Sequence, residues 1–165
     1  MESLLGLLRV RIIRGVNLAV RDTTGSDPYV VLRMGRQKLK TSVKKNNVNP
    51  EWNEDLTLSV SKHLQPIKLE VYDKDTFSRD DKMGDAEFEV TSFIEAVKMS
   101  STDFPNGTTI TTVKPCRQNC LAGESPILWR DGKIVQEIVL RLRNVEAGEI
   151  ELELTWIDIP GAPGF

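Results

Sequence analysis

Residues 148–157, GEIELELTWI, decide the fold class, because every second residue in this stretch is apolar. The apolar positions from Ile150 to Trp156 point to one side of an extended chain, and the intervening glutamates point to the other. This period of two is typical of an antiparallel sheet with one face on a core and one face in water. The stretch therefore predicts a half-buried β-strand.

The same period recurs outward from this strand along most of the chain. It is clear in LLRVRIIRGVNL (residues 7–18), and it predicts further strands at about residues 29–34, 37–44, 55–60, 67–72, 85–90 and 135–144. The turn-forming stretches GSDP, NNVNP and EAGE separate them. One segment departs from the pattern: TSFIEAVKM (residues 91–99) predicts a short helix capped by Thr91 or Ser92.

About eight antiparallel strands and one short helix predict an all-β sandwich. The interval between residues 90 and 135 is far longer than an ordinary strand connection, which has about 2–6 residues. It contains the helix, TTITTV (residues 108–113) and an Asp131-Gly132 pair flanked by apolar residues, which predicts a tight hairpin. We therefore expect one domain over residues 1–165, with a folded insertion over 91–134.

Composition excludes several function classes. The 165-residue chain has 39% hydrophobic and 28% charged residues and a net charge of −2, as in an ordinary globular domain. It shows no signal-peptide pattern and no apolar run of transmembrane length, and Glu2 stands where myristoylation needs glycine. We expect Cys116 and Cys120 to be free thiols. With His63 as the only histidine and no nucleophile–base set or P-loop, we predict a non-enzyme.

Acidic residues crowd into VYDKDTFSRDDKMGD (residues 71–85), directly after an apolar strand. Asp73, Asp75, Asp80 and Asp81 would repel one another there unless something positive lies between them. Two more acids, Asp22 and Asp27, frame RDTTGSDP (residues 21–28) between two other strands. Because two loops at one end of a sandwich can converge, we predict that five carboxylates meet, those of Asp22, Asp27, Asp73, Asp75 and Asp81.

Calcium is the cation that this pattern favours, because Ca²⁺ accepts several carboxylates together with backbone carbonyls and water. Magnesium prefers fewer carboxylates, and zinc needs Cys or His, which neither cluster contains. An EF-hand starting at Asp73 fails, since Ser78 and Gly84 occupy its required glycine and glutamate positions. The alternative is that the aspartates only solvate turns, a common role for this residue.

Three stretches together resemble the C2 domain family: VNLAVRDTTGSDPYVVLRMG (16–35), NPEWNEDLTLSV (49–60) and LEVYDKDTFSRDDKMG (69–84). The resemblance implies an eight-stranded antiparallel sandwich, and the strand placed last in the chain is similar to the type II topology. It implies calcium binding by the carboxylates of Asp22, Asp27, Asp73, Asp75 and Asp81 and by the backbone carbonyls of Arg21 and Lys74. The Asp80 position is usually Asn or another polar residue in the family, so Asp80 is left out. Trp52 is expected to be a buried structural indole.

Two further groups are candidate lipid contacts. Phe77 and Arg79 lie in the predicted loop between the acidic positions, where an apolar tip and a cation suit insertion among headgroups. In RMGRQKLKTSVKK (residues 33–45), Arg36, Lys38 and Lys40 alternate and are predicted to line one strand face. The family resemblance implies phosphoinositide binding by Lys38 and Lys40; the alternative is an ordinary solvated face. The patch is small and has no nucleic-acid-reading motif, which argues against nucleic acid.

The segments VKPCRQNCLAGES (113–125) and DGKIVQEIVLRLRNVEAGEIELELTWIDIPG (131–161) resemble the plant C2-domain abscisic-acid-related proteins. That resemblance implies a calcium-dependent adaptor that binds anionic phospholipid and recruits soluble abscisic acid receptors to the plasma membrane, in the cytoplasm and nucleus. Two alternatives remain open. The first is an activator of a GTPase, for which Arg117, Arg130, Arg141 and Arg143 are available. The second is a calcium-independent interaction domain.

Overall fold

A computed structural model describes residues 3–21, 25–100 and 103–161 of the chain. Within these ranges it contains ten strands and one helix. The strands are β1 (Leu4–Val16), β2 (Pro28–Met34), β3 (Gln37–Lys40), β4 (Glu51–Ser61), β5 (Ile67–Asp73), β6 (Asp81–Phe88), β7 (Thr108–Val113), β8 (Ser125–Arg130), β9 (Lys133–Arg141) and β10 (Glu149–Ile157), and the helix is α1 (Thr91–Lys98).

The strands form two antiparallel sheets around one apolar core. One sheet has the order β4-β1-β10-β9-β8-β7 and the other the order β3-β2-β5-β6. The alternating residues predicted to point inward do so: Ile150 and Leu154 in β10 and Leu69 in β5 are all 0% exposed. The predicted all-β antiparallel sandwich is confirmed, with β10 lying between β1 and β9. Ten strands are present rather than eight, because the insertion contributes β7 and β8.

Two predicted strand boundaries are wrong, those of β6 and β3. The strand expected at residues 85–90 is β6, which begins at Asp81, and its ladder pairs Tyr72 with Lys82 and Asp73 with Asp81. Backbone hydrogen bonds thus extend the strand through charged residues that the apolar pattern does not mark. Conversely, β3 ends at Lys40 rather than residue 44.

The helix prediction is correct in place but wrong in its cap. Thr91 and Ser92 are already helical, Val90 occupies the N-cap position, and no side chain caps the helix. Burial holds the helix instead: Phe93 and Ile94 are 0% and 1% exposed. The helix is not long and apolar enough to cross a bilayer, and the structure describes no other helix, so no described helix could do so.

The insertion adds β7 and β8 to the edge of the larger sheet and extends to one end of it. Asp131 and Gly132 have φ of 52° and 77°, as a two-residue hairpin turn requires, and the predicted β8–β9 hairpin is confirmed. Beyond the reach of β8, residues 120–122 continue beside β9: the Arg141 N–H donates to the Cys120 carbonyl at 2.7 Å. The turn that precedes these residues therefore lies at the end of the sheet where β9 finishes.

Candidate functional site

The antiparallel registers bring several connections to one end of the sandwich, which we call the loop end. It consists of residues 17–27, 41–50, 74–80, 114–124 and 142–148, of which 22–24 are not described. In the smaller sheet Asp73 lies opposite Pro28 on one side and opposite Asp81 on the other. Asp27, Asp73 and Asp81 thus occupy neighbouring strand ends, although they are far apart in sequence.

Hydrogen bonds hold two of these carboxylates in place. Asp73 is only 3% exposed, and its Oδ1 accepts the Asp27 N–H at 2.8 Å. Oδ1 of Asp27 in turn accepts the Asn46 N–H at 2.7 Å, so the β3–β4 connection also fixes the first loop. The Lys74 N–H returns a bond to the Asp27 carbonyl at 2.9 Å. The two predicted calcium loops are therefore tied to each other by their own backbone.

The 74–80 loop is organised by its remaining two aspartates. Asp75 accepts the Phe77 N–H at 3.0 Å and the Ser78 hydroxyl at 2.8 Å, and the bond from the Phe77 backbone is the main cause that lowers its pKa. Asp80 accepts the Asp75 N–H at 2.9 Å and the Tyr29 hydroxyl. The Tyr29 hydrogen bond is the main cause that lowers the pKa of Asp80. Asp80 therefore supports the loop from within, by joining it to Tyr29 of β2.

The guanidinium group of Arg21 lies near the acidic strand ends. Arg21 donates to both oxygens of Glu146 at 2.8 and 3.2 Å, and these bonds raise its pKa. The charges of Asp81 and Asp73 raise it further, so the Arg21 side chain lies within electrostatic reach of both. No sequence pattern connects Arg21 with Glu146, because 125 residues separate them.

Of the predicted ligands, Asp22 lies outside the described residues, so the full set stays a prediction. The structure places Asp27, Asp73 and Asp81 together and Asp75 two residues beyond Asp73. Among the described residues no group of three His, Cys, Asp or Glu side chains is already arranged to hold a metal ion. The donor chemistry nevertheless fits Ca²⁺, since clustered carboxylates joined by flexible loops are what this ion accepts.

The predicted membrane-contact residues at the loop end are exposed. Phe77 is 97% exposed, an unusual position for a large aromatic side chain, and Arg79 is also exposed. Val20, in the first loop, is 59% exposed and was not predicted as a membrane contact. The one feature of the sequence that could have indicated it is an apolar residue directly before the polar stretch RDTTGSD.

The basic face needs one correction. Lys38 and Lys40 lie exposed on β3, but Arg36 lies in the preceding turn, so it does not share their strand face. The alternation of Arg36, Lys38 and Lys40 was interpreted as one strand face, whereas Gly35, with φ of 57°, starts a turn that contains Arg36. Arg33 lies opposite Lys38, but it bonds Glu70 at 2.7 Å.

Comparison with known proteins agrees with the geometry. Residues 6–105 match the C2 domain family. Protein C2-DOMAIN ABA-RELATED 4 of Arabidopsis thaliana is 63% identical over 100% of this chain and 93% of its own length. GTPase activating protein 1 of Oryza sativa subsp. japonica is 57% identical over 98% of this chain and 97% of its own length.

Solved structures share the fold at low identity. The calcium-bound pair of C2 domains of Extended-Synaptotagmin 2 matches with a TM-score of 0.65 and 23% identity, over 96% of this chain and 48% of that one. A C2 domain of plant Extended Synaptotagmin 1 matches with a TM-score of 0.63 and 22% identity, over 94% of this chain and 97% of its own. The chain belongs to the C2 domain family and, within it, to the C2-domain ABA-related proteins.

Proposed function

We propose that this C2 domain is a calcium-dependent adaptor that binds anionic phospholipid through its loop end. The observation that carries the proposal is the convergence of Asp27, Asp73 and Asp81 beside the fully exposed Phe77. Ca²⁺ would be held by the carboxylates of Asp22, Asp27, Asp73, Asp75 and Asp81 and the carbonyls of Arg21 and Lys74. When bound, the ion supplies positive charge and coordination positions for lipid phosphate oxygens.

The side chains of the loop end have separate tasks in this function. The aspartates give the loop end a negative charge, which opposes contact with an anionic bilayer until it is neutralised. Phe77 offers an apolar surface to the acyl boundary, and Arg79 offers a cation to the headgroups. The bonds from the Asp27 N–H to the Asp73 carboxylate and from the Asn46 N–H to the Asp27 carboxylate hold both carboxylates before any ligand arrives, which lowers the ordering cost of binding.

Recruitment of abscisic acid receptors to the plasma membrane is the role we propose for the rest of the surface. Its support is the 63% identity to a protein named for abscisic acid over the whole chain, including the insertion. We propose that the protein works in the cytoplasm, at the plasma membrane and in the nucleus. Co-sedimentation of a purified receptor with vesicles, with and without this protein, tests the role.

Vesicle co-sedimentation tests the calcium-dependent step. Wild-type protein is expected to sediment with anionic vesicles in calcium and to stay in the supernatant in chelator. Asp27→Asn with Asp81→Asn removes two of the converging carboxylates and should abolish the difference. Asp131→Asn, in the hairpin turn at the opposite end, is the control for removing a surface charge away from the loop end, and the single variant Asp27→Asn is matched to it in charge. Equal sedimentation of the wild type in calcium and chelator, with no heat of calcium binding, would favour a calcium-independent interaction domain.

A second candidate function, activation of a GTPase, is favoured by the name of one relative and by two arginines that are not held in ion pairs within the described residues. The rice relative at 57% identity is named GTPase activating protein 1. Arg130 is bound by Glu137 and Glu153 and Arg143 by Asp85, whereas the Arg117 and Arg141 side chains have no bonded partner in the described part of the chain. An activator can supply a free arginine to its partner. A turnover assay with a purified G protein, comparing wild type with Arg117→Ala, tests this candidate.

A further inference from the structure

An open groove of about 550 Å³ lies where the insertion meets the end of β9. Its lining includes three arginines and two cysteines: Arg117, Arg141, Arg143, Cys116 and Cys120. Its size is within the range of small-ligand sites, which is about 300–1,000 Å³. Three guanidinium groups around one groove point to an anionic ligand.

The wall that carries Arg117 has a defined shape. Oδ1 of Asn119 accepts the Cys116 N–H at 3.0 Å and the Leu121 N–H at 3.3 Å, while its Nδ2 donates to the Lys114 carbonyl at 3.0 Å. The opposite wall is the end of β9, joined to the first by the bond from the Arg141 N–H to the Cys120 carbonyl. The groove is therefore formed by ordered backbone on both sides.

Only part of the positive charge in the groove is neutralised by the protein. Arg143 donates to Asp85 at 2.6 Å and lies 3.7 Å from Glu87. Arg117 and Arg141 are exposed, and neither side chain makes a hydrogen bond or ion pair within residues 3–21, 25–100 and 103–161. Two planar guanidinium groups thus remain available to phosphate oxygens, which they can bind in bidentate fashion.

The groove opens at the loop end. Arg141 lies opposite Glu149 in the register of β9 and β10, and Glu149 lies opposite Val16, where β1 enters the first acidic loop. On its other side Arg143 pairs with Asp85 of β6, the strand that begins at Asp81. A bilayer that meets the loop end through Phe77 would therefore lie close to Arg117 and Arg141.

We propose that this groove binds the phosphomonoester headgroup of an anionic membrane lipid, as a second contact that needs no calcium. The proposal rests on the proposed membrane function for the orientation of the domain. A phosphomonoester, as in phosphatidic acid, offers more oxygens and more charge to two guanidinium groups than the phosphodiester of phosphatidylserine does. Diffuse attraction makes a basic residue near an anionic surface contribute about fivefold to membrane affinity, so losing two costs about 30-fold on any surface of that charge. A bidentate contact to a phosphomonoester adds to this loss only where that headgroup is present.

The test uses the full chain with the double variant Arg117→Gln, Arg141→Gln at saturating calcium. Two vesicle preparations of equal surface charge are compared, one containing phosphatidic acid and one containing phosphatidylserine. We expect a loss of about 30-fold on phosphatidylserine, from diffuse charge, and a clearly larger loss on phosphatidic acid. Lys38→Gln with Lys40→Gln is the charge-matched control and should lower the affinity for both vesicle preparations by the same factor. The double Arg→Lys variant keeps the charge but not the planar fork, and should recover only part of the affinity.

Cys116 provides a readout that does not depend on membrane binding. It is exposed at the rim of the groove, so a soluble short-chain phosphatidic acid should slow its alkylation by iodoacetamide in the wild type and not in the Arg117→Gln, Arg141→Gln variant. Protection without vesicle binding would support the groove and reject the proposed membrane function. Inorganic phosphate alone protecting equally well would overturn the assignment to a lipid headgroup.

Two results on vesicles would overturn the inference. Equal losses on both preparations, matching those of the lysine control, would mean that the arginines contribute only diffuse charge. Unchanged vesicle binding combined with lost stimulation of a G protein would assign the groove to a protein partner.

Discussion

Asp85 offers the sharpest stability test, because one carboxylate links β6 to the connection that follows β9. Its side chain is 11% exposed and accepts bonds from Arg143 at 2.6 Å and from Asn144 at 3.1 Å, with the Lys82 ammonium at 3.2 Å. The perturbation is Asp85→Asn, which keeps the size and one acceptor oxygen but removes the charge. Asp85 is buried, while its basic partners are about half exposed. The stability lost on substitution should therefore lie between the values for a surface ion pair and a buried one.

The magnitude follows from these contacts. A hydrogen bond to a charged group contributes about 1.5–3 kcal/mol when desolvated, and solvent at Arg143 and Lys82 reduces this. We expect Asp85→Asn to lower the free energy of unfolding by about 2 kcal/mol and the midpoint of thermal unfolding by about 4–8 °C. The control is Asp55→Asn, whose partner Arg11 lies at 2.9 Å but whose own side chain is 35% exposed, against 11% for Asp85; there we expect a loss of less than about 0.5 kcal/mol.

The pH dependence supplies an independent check. Burial raises the pKa of Asp85, but the bonds from Arg143, Asn144 and Lys82 outweigh it, and the net pKa is lowered. A carboxyl whose folded pKa is below its unfolded value of about 3.9 stabilises the fold above that pH and loses the effect as pH falls through the folded pKa. The free energies of urea unfolding of the wild type and Asp85→Asn should therefore differ at pH 7 and converge below about pH 4. Equal losses of stability in Asp85→Asn and Asp55→Asn at pH 7, or a wild-type advantage over Asp85→Asn that persists in acid, would contradict the assigned role of the Asp85 charge.

Two further predictions concern the loop end, and a third concerns β6 beside it. Replacing Asp22 and Asp27 with alanine should abolish calcium-dependent vesicle sedimentation but preserve a cooperative thermal transition, and loss of that transition would show that the acids are structural. Phe77→Ala should lower vesicle affinity in calcium by about 10-fold or more, since a large apolar side chain contributes about 1.5–3 kcal/mol on burial, whereas urea unfolding should not change for a residue that is 97% exposed. Gly84→Ala should destabilise the fold by about 2 kcal/mol or more, measured by urea unfolding, because Gly84 has φ of 109° and an added Cβ would lie 2.6 Å from Val145; unchanged stability would contradict the strain argument.

The alternation of apolar residues was sufficient to predict the strands and the sandwich, because side chains in a strand alternate between two faces whatever the partner strand is. GEIELELTWI became β10, and Asp131-Gly132 became the β8–β9 turn. Strand ends were predicted less well. The start of β6 at Asp81 depends on backbone pairing with Asp73, which leaves no trace in the side-chain pattern.

The fold class, the hairpin and the crowding of acids after an apolar strand could be predicted from sequence, since these depend on neighbours a few residues apart. The three-dimensional fold was needed to show that Asp73 bonds the Asp27 backbone, that Arg21 bonds Glu146, and that Arg117 and Arg141 line one groove at the loop end. Each of these joins strands or loops that are distant in the chain. Their meeting depends on the register between strands, which is set by the packing of the whole core and not by any local stretch.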